Sequence, residues 1–221
     1  RDYTIDVLFI DYLQLIELSG SNRNANRENE VARISGSIKA LAKELDIDLF
    51  DYEIVEQIAT SANRSQRIVE SLDEQDRSIL NDWIDALGKD HMWSYQYLDH
   101  LTKVVGAIGA HGYAIIVGRG ASYILPKEVS LRLLVVAPLE KRIRNLMDQY
   151  GIAEAEARRQ ILRTDADRKA FIQKYFQADM LNPLNYDLVI NTDNIDLELA
   201  AKLVKETFNT RQWYDYNIKL K

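Results

Sequence analysis

Apolar residues follow two periods along this chain, one typical of buried strands and one typical of helices. Short apolar runs with the length of strands occur at Val7–Ile10, Tyr113–Val117, Leu131–Val136 and Asp187–Asn191. Strands that are apolar on both faces belong to parallel sheets whose faces are covered by helices. The runs therefore predict an α/β fold built on a doubly wound parallel sheet.

Helical periodicity fills the segments between these runs. Apolar residues recur at steps of three and four, which predicts helices over Val31–Leu45, most of Phe50–Gly109, Leu139–Tyr150, Ala153–Gln177 and Leu197–Phe208. The block Phe50–Gly109 separates the first strand from the others. We therefore expect it to form a helical insertion at the edge of the sheet.

Length and composition narrow the class of protein. The 221 residues suffice for one α/β domain with an inserted subdomain, and the net charge of −6 argues against nucleic-acid binding through bulk electrostatics. The sequence has no cysteine, which excludes disulfides and thiolate metal sites. The apolar runs are too short to span a bilayer and no signal-peptide pattern is present, so we expect a cytoplasmic protein without membrane contacts. The first residue is Arg1, which is typical of a fragment.

A glycine-rich turn follows the run at Tyr113–Val117. Gly118, Arg119 and Gly120 stand where a parallel strand opens into a ligand crevice, and glycines there let the backbone approach a phosphate closely. Arg119 is suited to bind a phosphate or a carboxylate with two parallel hydrogen bonds. An ordinary turn with a surface arginine explains the same residues equally well.

Charged residues are concentrated in the helical segment Ala153–Gln177, which contains Arg163, Asp165, Asp167 and Arg168. One interpretation is a mobile lid whose guanidinium groups stabilise the charge on a transferring phosphate, with Gly151 as its hinge. The spacing of Arg163 and Asp167 favours the alternative, a solvated ion pair between neighbouring turns.

Asp11 ends the first apolar run. A carboxylate at this place can hold a magnesium-bound water beside a nucleotide, although a residue that simply ends the strand is the more economical interpretation. His91, His100 and His111 lack the spacing of metal ligands.

Several segments together resemble the cytidylate kinase-like family of P-loop kinases. They are DYEIVEQIA (Asp51–Ala59), IIVGRGASYIL, LRLLVVAPLEKRIRNLMDQYGI, the RTDADR element and NPLNYDLVINT, and their order and spacing match over roughly Asp48–Phe208. The resemblance implies a three-layer P-loop NTPase-like fold with a helical insertion at about 52–110 and a lid at about 152–178. It also implies phosphoryl transfer from ATP to CMP with Mg²⁺.

The resemblance assigns roles to individual residues. Gly118, Arg119 and Gly120 would bind the acceptor phosphate, and Asp51 would lie near the acceptor. Arg163, Asp167 and Arg168 would act in the lid, and Asn191 with Thr192 would lie by the donor base. Such a kinase also needs a glycine-rich phosphate loop before its first helix, and no GxxxxGKS or GxxxxGKT motif occurs in this sequence.

The N-terminal part has a resemblance of its own. DVLFIDYLQLI followed by RENEVARISGSIKALAKEL is similar to the Walker B strand and following helix of DnaB-type replicative helicases, over about 6–45. There the aspartate matching Asp11 would help to hold magnesium. We therefore predict a chimera, in which residues 1–47 form a helicase-like strand, loop and helix that complete the core of a kinase-like domain at 48–221.

Three functions are compatible with these patterns. The first is a kinase that binds nucleoside mono- and triphosphates, impaired because the phosphate loop is missing, and the second is a folded but inactive scaffold. The third, a helicase ATPase fragment, has the least support because the chain is acidic. A homodimer is also compatible with these patterns.

Overall fold

The computed structural model describes residues 7–12, 38–50, 62–72 and 96–210, together with residues 55, 58, 77, 78, 80, 81 and 83. Its strands are β1 (Val7–Tyr12), β2 (Asp48–Phe50), β3 (Ala114–Val117), β4 (Ser130–Val136) and β5 (Leu188–Asn191). Its helices are α1 (38–45), α2 (Ala62–Ser71), α3 (Gln96–His111), α4 (Leu139–Tyr150), α5 (Glu154–Phe176) and α6 (Leu197–Thr210).

The strands form one sheet in the order β2-β3-β1-β4-β5. β1 and β2 each pair in parallel with β3, and β4 pairs in parallel with β5. Helices follow or precede the strands along the chain, as a parallel sheet requires for its crossovers. The predicted α/β fold with a parallel sheet and a helical insertion is confirmed, and α5 lies where the charged helical segment was expected.

The chain divides into two compact units. The first comprises Arg1–Asp11, Asp46–Arg132 and Thr210–Lys221, and the second comprises Tyr12–Leu45 and Leu133–Asn209. This division follows contacts in space, whereas the boundary expected near residue 47 concerns the two resemblances. That boundary remains a prediction.

The core of the first unit forms around α3 and β3. Leu101, Val104 and Val105 of α3 and all of Ala114–Ile116 are fully buried. Gly109 of α3 lies against Leu125, because a Cβ added at this glycine would stand 2.2 Å from the Leu125 Cδ1. The missing side chain thus lets the segment after β3 approach the helix closely.

The core of the second unit includes a helical hairpin made by α4 and α5. Ile143 and Leu146 of α4 pack with Ala157 and Ile161 of α5 in one buried cluster. At the junction the chain turns at Gly151, which has a φ of 64° and whose N–H donates to the Met147 carbonyl at 2.8 Å, so that it forms a left-handed helix cap. Three- and four-residue spacing of apolar positions is what makes each helix bury one stripe.

All four predicted strands differ from the structure by one or two residues, since β1 extends to Tyr12, β4 begins at Ser130 and β5 begins at Leu188. The predicted strand Tyr113–Val117 begins one residue later, because Tyr113 has a φ of 51° that a strand does not allow. β2 was not predicted at all, since its three residues are only half-buried or exposed and form no apolar run. In the described part of the chain, no helix is both long and apolar enough to cross a membrane.

Candidate functional site

The carboxyl ends of β1 and β3 bring two of the predicted site residues to the same edge of the sheet. Ile10 of β1 lies opposite Val117 of β3 in a parallel pairing. The next residues along the two strands, Asp11 and Gly118, therefore leave the paired region side by side. Asp51, which was expected near the acceptor, lies outside the described residues.

The turn after β3 has an uncommon backbone. Gly118, Arg119 and Gly120 all have a positive φ, of 75°, 58° and 65°. Glycine adopts this region freely, but a residue with a side chain does so at a cost of about 1–3 kcal/mol, which surrounding structure must offset. Turns whose successive N–H groups converge on one point can form concave sites for anions. A role of this turn in binding the acceptor phosphate stays a prediction.

Hydrogen bonds hold this turn in place from the carboxyl side. The Ala121 N–H donates to the Gly118 carbonyl at 3.2 Å, and the Tyr123 N–H donates to the Gly120 carbonyl at 2.9 Å. Further along, the Arg132 guanidinium donates to the Leu125 carbonyl at 2.8 Å. Gly120 is buried and Arg119 is half-buried, and the Nε of the Arg119 guanidinium is shielded from solvent.

Asn191 and Thr192, the residues expected by the donor base, lie at the carboxyl end of β5. Thr192 is 4% exposed, and both its N–H and its hydroxyl donate to the Val136 carbonyl, at 2.8 and 3.1 Å. The Asn191 Oδ1 accepts the Asp193 N–H at 3.0 Å. The Lys141 ammonium donates to the carbonyls of Thr192 and Asp193, at 2.5 and 2.8 Å. This segment is a well-anchored turn with Asn191 on its exposed side.

The three residues assigned to the lid lie on α5. Arg163 and Asp167 form an exposed ion pair, with 3.9 Å between the Arg163 Nε and the Asp167 Oδ2 and with 86% and 73% of the side chains accessible. This contact is the solvated pair that their spacing predicts. Arg168 is half-buried. Arg163 and Asp167 thus lie together, whereas Arg168 lies one residue further along on a more enclosed side.

Among the described residues, the ion pair with the lowest exposure joins α4 to α5 and was not predicted from the sequence. The Arg142 guanidinium of α4 donates two hydrogen bonds to the Asp165 carboxylate of α5, at 2.9 and 2.5 Å, and only 9% of Arg142 is accessible. The signal was present in the sequence. Arg142 stands in the apolar stripe of α4, and Asp165 stands four residues after Ile161 in the stripe of α5.

Shifted pKa values occur among ion pairs on the surface of the second unit. A hydrogen bond from Gln160, with the nearby Arg159 guanidinium, lowers the pKa of Glu156. A hydrogen bond to Glu140 raises the pKa of Arg158, and a hydrogen bond from Lys205 lowers that of Glu44. These pairs reinforce helix surfaces and lie in solvent.

Among the residues that the structure describes, no three His, Asp or Glu side chains are arranged to hold a metal ion. A magnesium ion in a nucleotide site keeps several waters and needs only one or two carboxylates besides the phosphates. The position of Asp11 at the sheet edge beside Gly118 is compatible with that requirement.

The sequence profile of the cytidylate kinase-like family matches residues 38–194. The chain belongs to this family. The match covers most of the described structure from α1 to β5, so the resemblance inferred from the GRG, RTDADR and YDLVINT segments is confirmed.

A second profile, the DnaB-like helicase C-terminal domain, matches residues 1–69 of this cytidylate kinase-like chain. The replicative DNA helicase DnaB of Rhodothermus marinus is 54% identical over 46 residues, which are 21% of this chain and 5% of the helicase. A uronate isomerase from Corynebacterium glutamicum is 34% identical over 95 residues, which are 42% of this chain and 18% of that protein. The chain therefore spans less than a fifth of the length of these two relatives.

A crystal structure of an uncharacterized protein from Eubacterium ventriosum has a similar fold. Its TM-score is 0.63 at 16% sequence identity, and the alignment covers 95% of this chain and 100% of the other. This likeness supports the fold of the family and carries no information on the substrate. The helicase-like and kinase-like matches overlap between residues 38 and 69, which include α1, β2 and the predicted join.

Proposed function

We propose that this protein is a nucleotide-binding member of the family that transfers the γ-phosphate of ATP to CMP at a strongly reduced rate. The observation that carries the proposal is the left-handed Gly118-Arg119-Gly120 turn at the end of β3, in a chain that belongs to the cytidylate kinase-like family. A backbone held in this conformation costs free energy, and such strain is concentrated at functional sites.

The acceptor nucleotide would bind at this turn. Arg119 would donate two hydrogen bonds to the phosphate of CMP, and Gly118 and Gly120 would let that phosphate approach the backbone. Asp51 would lie near the same nucleotide. Hydrogen bonds to charged groups contribute about 1.5–3 kcal/mol each, so Arg119 is the largest single contribution that we assign.

The transferring phosphate would be neutralised from α5. Arg163 and Arg168 would offset its negative charge, and Asp167 would keep the Arg163 guanidinium oriented until a nucleotide binds. Exposed ion pairs contribute only about 0–1 kcal/mol, so exchanging Asp167 for a phosphate costs little.

The donor nucleotide is the weaker half of the proposed site. Asn191 and Thr192 would contact the base of ATP, and Asp11 would hold Mg²⁺ together with the donor phosphates. The bound ion would neutralise charge on those phosphates. The sequence contains no Walker A motif, and positioning by such a loop is a large part of phosphoryl transfer. We therefore expect a turnover far below the 1–100 per second that is typical of kinases.

A catalytically inactive scaffold is the second candidate function. The missing phosphate loop favours it. A chain that has the Gly118-Arg119-Gly120 turn (the GRG turn) but no donor site would bind acceptor-like anions without transferring phosphate. A helicase ATPase fragment is less favoured, because the helicase-like matches span a small share of a helicase and the chain carries a net charge of −6.

Separate titrations with CMP and with ATP–Mg²⁺ distinguish these functions. A ligand that binds only the folded state raises the melting temperature as its concentration exceeds Kd. We expect a clear response to CMP and a weak response to ATP–Mg²⁺, with slow CDP formation in a coupled assay. A response to CMP without any CDP formation would favour the scaffold. An unchanged melting temperature with both nucleotides would contradict the proposal.

A matched pair of variants locates the CMP response. Arg119→Gln removes the guanidinium from the turn and should weaken CMP binding about tenfold or more. Arg144→Gln makes the same change on the exposed side of α4 and should leave CMP binding unchanged. Equal effects of the two substitutions would show that general charge, rather than the turn, attracts the nucleotide.

A further inference from the structure

The pair of Arg142 and Asp165 has the geometry of a fixed joint between α4 and α5. Two parallel hydrogen bonds, at 2.9 and 2.5 Å, connect one guanidinium to one carboxylate. Such fork-to-fork contacts fix direction as well as distance. Arg142 is 9% exposed and Asp165 is 28% exposed, so solvent screens the pair far less than the ion pairs around it.

The position of Asp165 on α5 decides which residues of that helix face outward. Ala157, Ile161 and Asp165 follow one another at four-residue steps and form the face that packs on α4. A residue two positions from Asp165 is rotated by about 200° around the helix axis. Arg163 and Asp167 are both two positions away, which is why both are exposed on the opposite face.

The two ion pairs of this segment differ in how easily a phosphate can replace the aspartate. The Arg163–Asp167 contact is a single long approach of 3.9 Å between largely exposed side chains. A phosphate can replace Asp167 there at little cost. The Arg142–Asp165 contact cannot be exchanged in this way, because removing either partner leaves a poorly solvated charge behind.

The hairpin also resists bending at Gly151, which the sequence suggested as a hinge. Ile143, Leu146, Ala157 and Ile161 are at most 3% exposed, and a rotation at Gly151 would separate them. Arg158 adds a second link across the hairpin, since its guanidinium donates to the Glu140 carboxylate at 3.0 and 3.1 Å. Any motion of α5 therefore carries α4 with it.

We infer that Asp165 is a positioning residue, which locks α4 and α5 into one rigid element and sets the rotation of α5 that presents Arg163 to nucleotide phosphates. The role in nucleotide binding rests on the proposed function, whereas the rigid element stands on its own. Within the RTDADR segment, Asp165 thus orients the helix, and Arg163 with Asp167 forms the exchangeable pair.

Distances between spin labels on the two helices test this inference. The natural chain has no cysteine, so Asn145→Cys on α4 and Ala170→Cys on α5 are the only labelled positions. We expect one narrow distance distribution in the parent protein. Asp165→Asn, which keeps the size and removes the charge, should broaden and shift it. The matched control Asp167→Asn should leave the distribution narrow.

A further variant separates positioning from stability. Arg142→Met combined with Asp165→Leu replaces the ion pair with apolar side chains of similar volume, a change that often leaves stability unaltered. We expect this protein to fold with a melting temperature near that of the parent but with the broadened distribution. A narrow distribution in the apolar double variant, or in a folded Asp165→Asn protein, would overturn the inference.

Nucleotide titrations of the same proteins keep the two proposals apart. A parent protein that responds to neither CMP nor ATP–Mg²⁺, yet shows the expected change in distance upon Asp165→Asn, would contradict the proposed function alone. Nucleotide binding in the parent together with unchanged distances in Asp165→Asn would contradict the positioning role alone.

Discussion

The turn after β3 and the α4–α5 hairpin both carry arginines that we assign to phosphate binding. The two regions position these arginines by different means. Gly118, Arg119 and Gly120 depend on backbone conformation, since all three residues have a positive φ. The hairpin depends on side chains, with Asp165 bonded twice to a buried Arg142. A site of the first kind is sensitive to the addition of a Cβ atom, and one of the second kind is sensitive to the loss of a charge.

The largest expected effect is the loss of charge in the hairpin. Asp165→Asn leaves the Arg142 guanidinium, which is 9% exposed, without its carboxylate. Breaking such a pair typically costs 3–5 kcal/mol, and the partial exposure of Asp165 favours about 3 kcal/mol. Urea denaturation measures this free energy. Asp167→Asn, on the exposed face, should change it by less than about 0.5 kcal/mol.

Overpacking beneath the segment that follows the GRG turn should have the next largest effect. Gly109→Ala would place a Cβ 2.2 Å from the Leu125 Cδ1, and Leu125 is 2% exposed and has little room to move. Overpacking costs about 1–3 kcal/mol, against a gain of about 1 kcal/mol in helix propensity. We expect a net loss of about 1–2 kcal/mol in urea denaturation. A stabilised protein would show that Leu125 relaxes freely.

Substitutions at two glycines with nearly equal φ values, one in the turn and one in the hairpin, allow the two regions to be compared directly. Gly120→Ala and Gly151→Ala place alanine at φ values of 65° and 64°, and each should lose about 1–2 kcal/mol of stability. A Cβ at Gly151 meets no atom within 4 Å, whereas Gly120 is buried. The loss should therefore be larger at Gly120, and only that variant should weaken the CMP response. Equal CMP responses would separate the turn from the acceptor site.

The smallest expected effect is a dependence of stability on pH that arises in the hairpin. The hydrogen bond from Gln160, with the nearby Arg159, lowers the pKa of Glu156 in the folded protein. This contribution to stability is complete above the pKa of the unfolded chain and is lost as the pH falls through the lower, folded value. Melting temperatures of the parent and of Glu156→Gln should thus differ at neutral pH and converge in acid. A constant difference would contradict the assignment.

Hydrophobic periodicity predicted the long elements well. Leu139–Tyr150 was predicted with the bounds that α4 has, and Ala153–Gln177 exceeds α5 by one residue at each end. Both helices bury a regular stripe, so their pattern carries the necessary information. β2 was missed because its three residues owe their strand conformation to pairing with β3, a contact distant in sequence.

The candidate site was predictable in its residues and less so in its contacts. The glycines beside Arg119 indicated a special turn, but the left-handed conformation of the arginine itself depends on the bonds around it. Arg142 and Asp165 are 23 positions apart, and the residues around each of them do not identify its partner. Their placement within apolar stripes shows only that each needs a partner.

The pairing of β1 with β3 has a consequence for how the helicase-like and kinase-like segments of this chain can be separated. Val7–Ile10 of the helicase-like part hydrogen-bond along Ala114–Val117 of the kinase-like part. Trimming the N-terminal segment would remove β1, the middle strand in the order β2-β3-β1-β4-β5. β3 and β4 would each be left with an unpaired edge, and such edges recruit strands from other molecules. We would expect such a truncated protein in inclusion bodies, which would make β1 a condition for solubility.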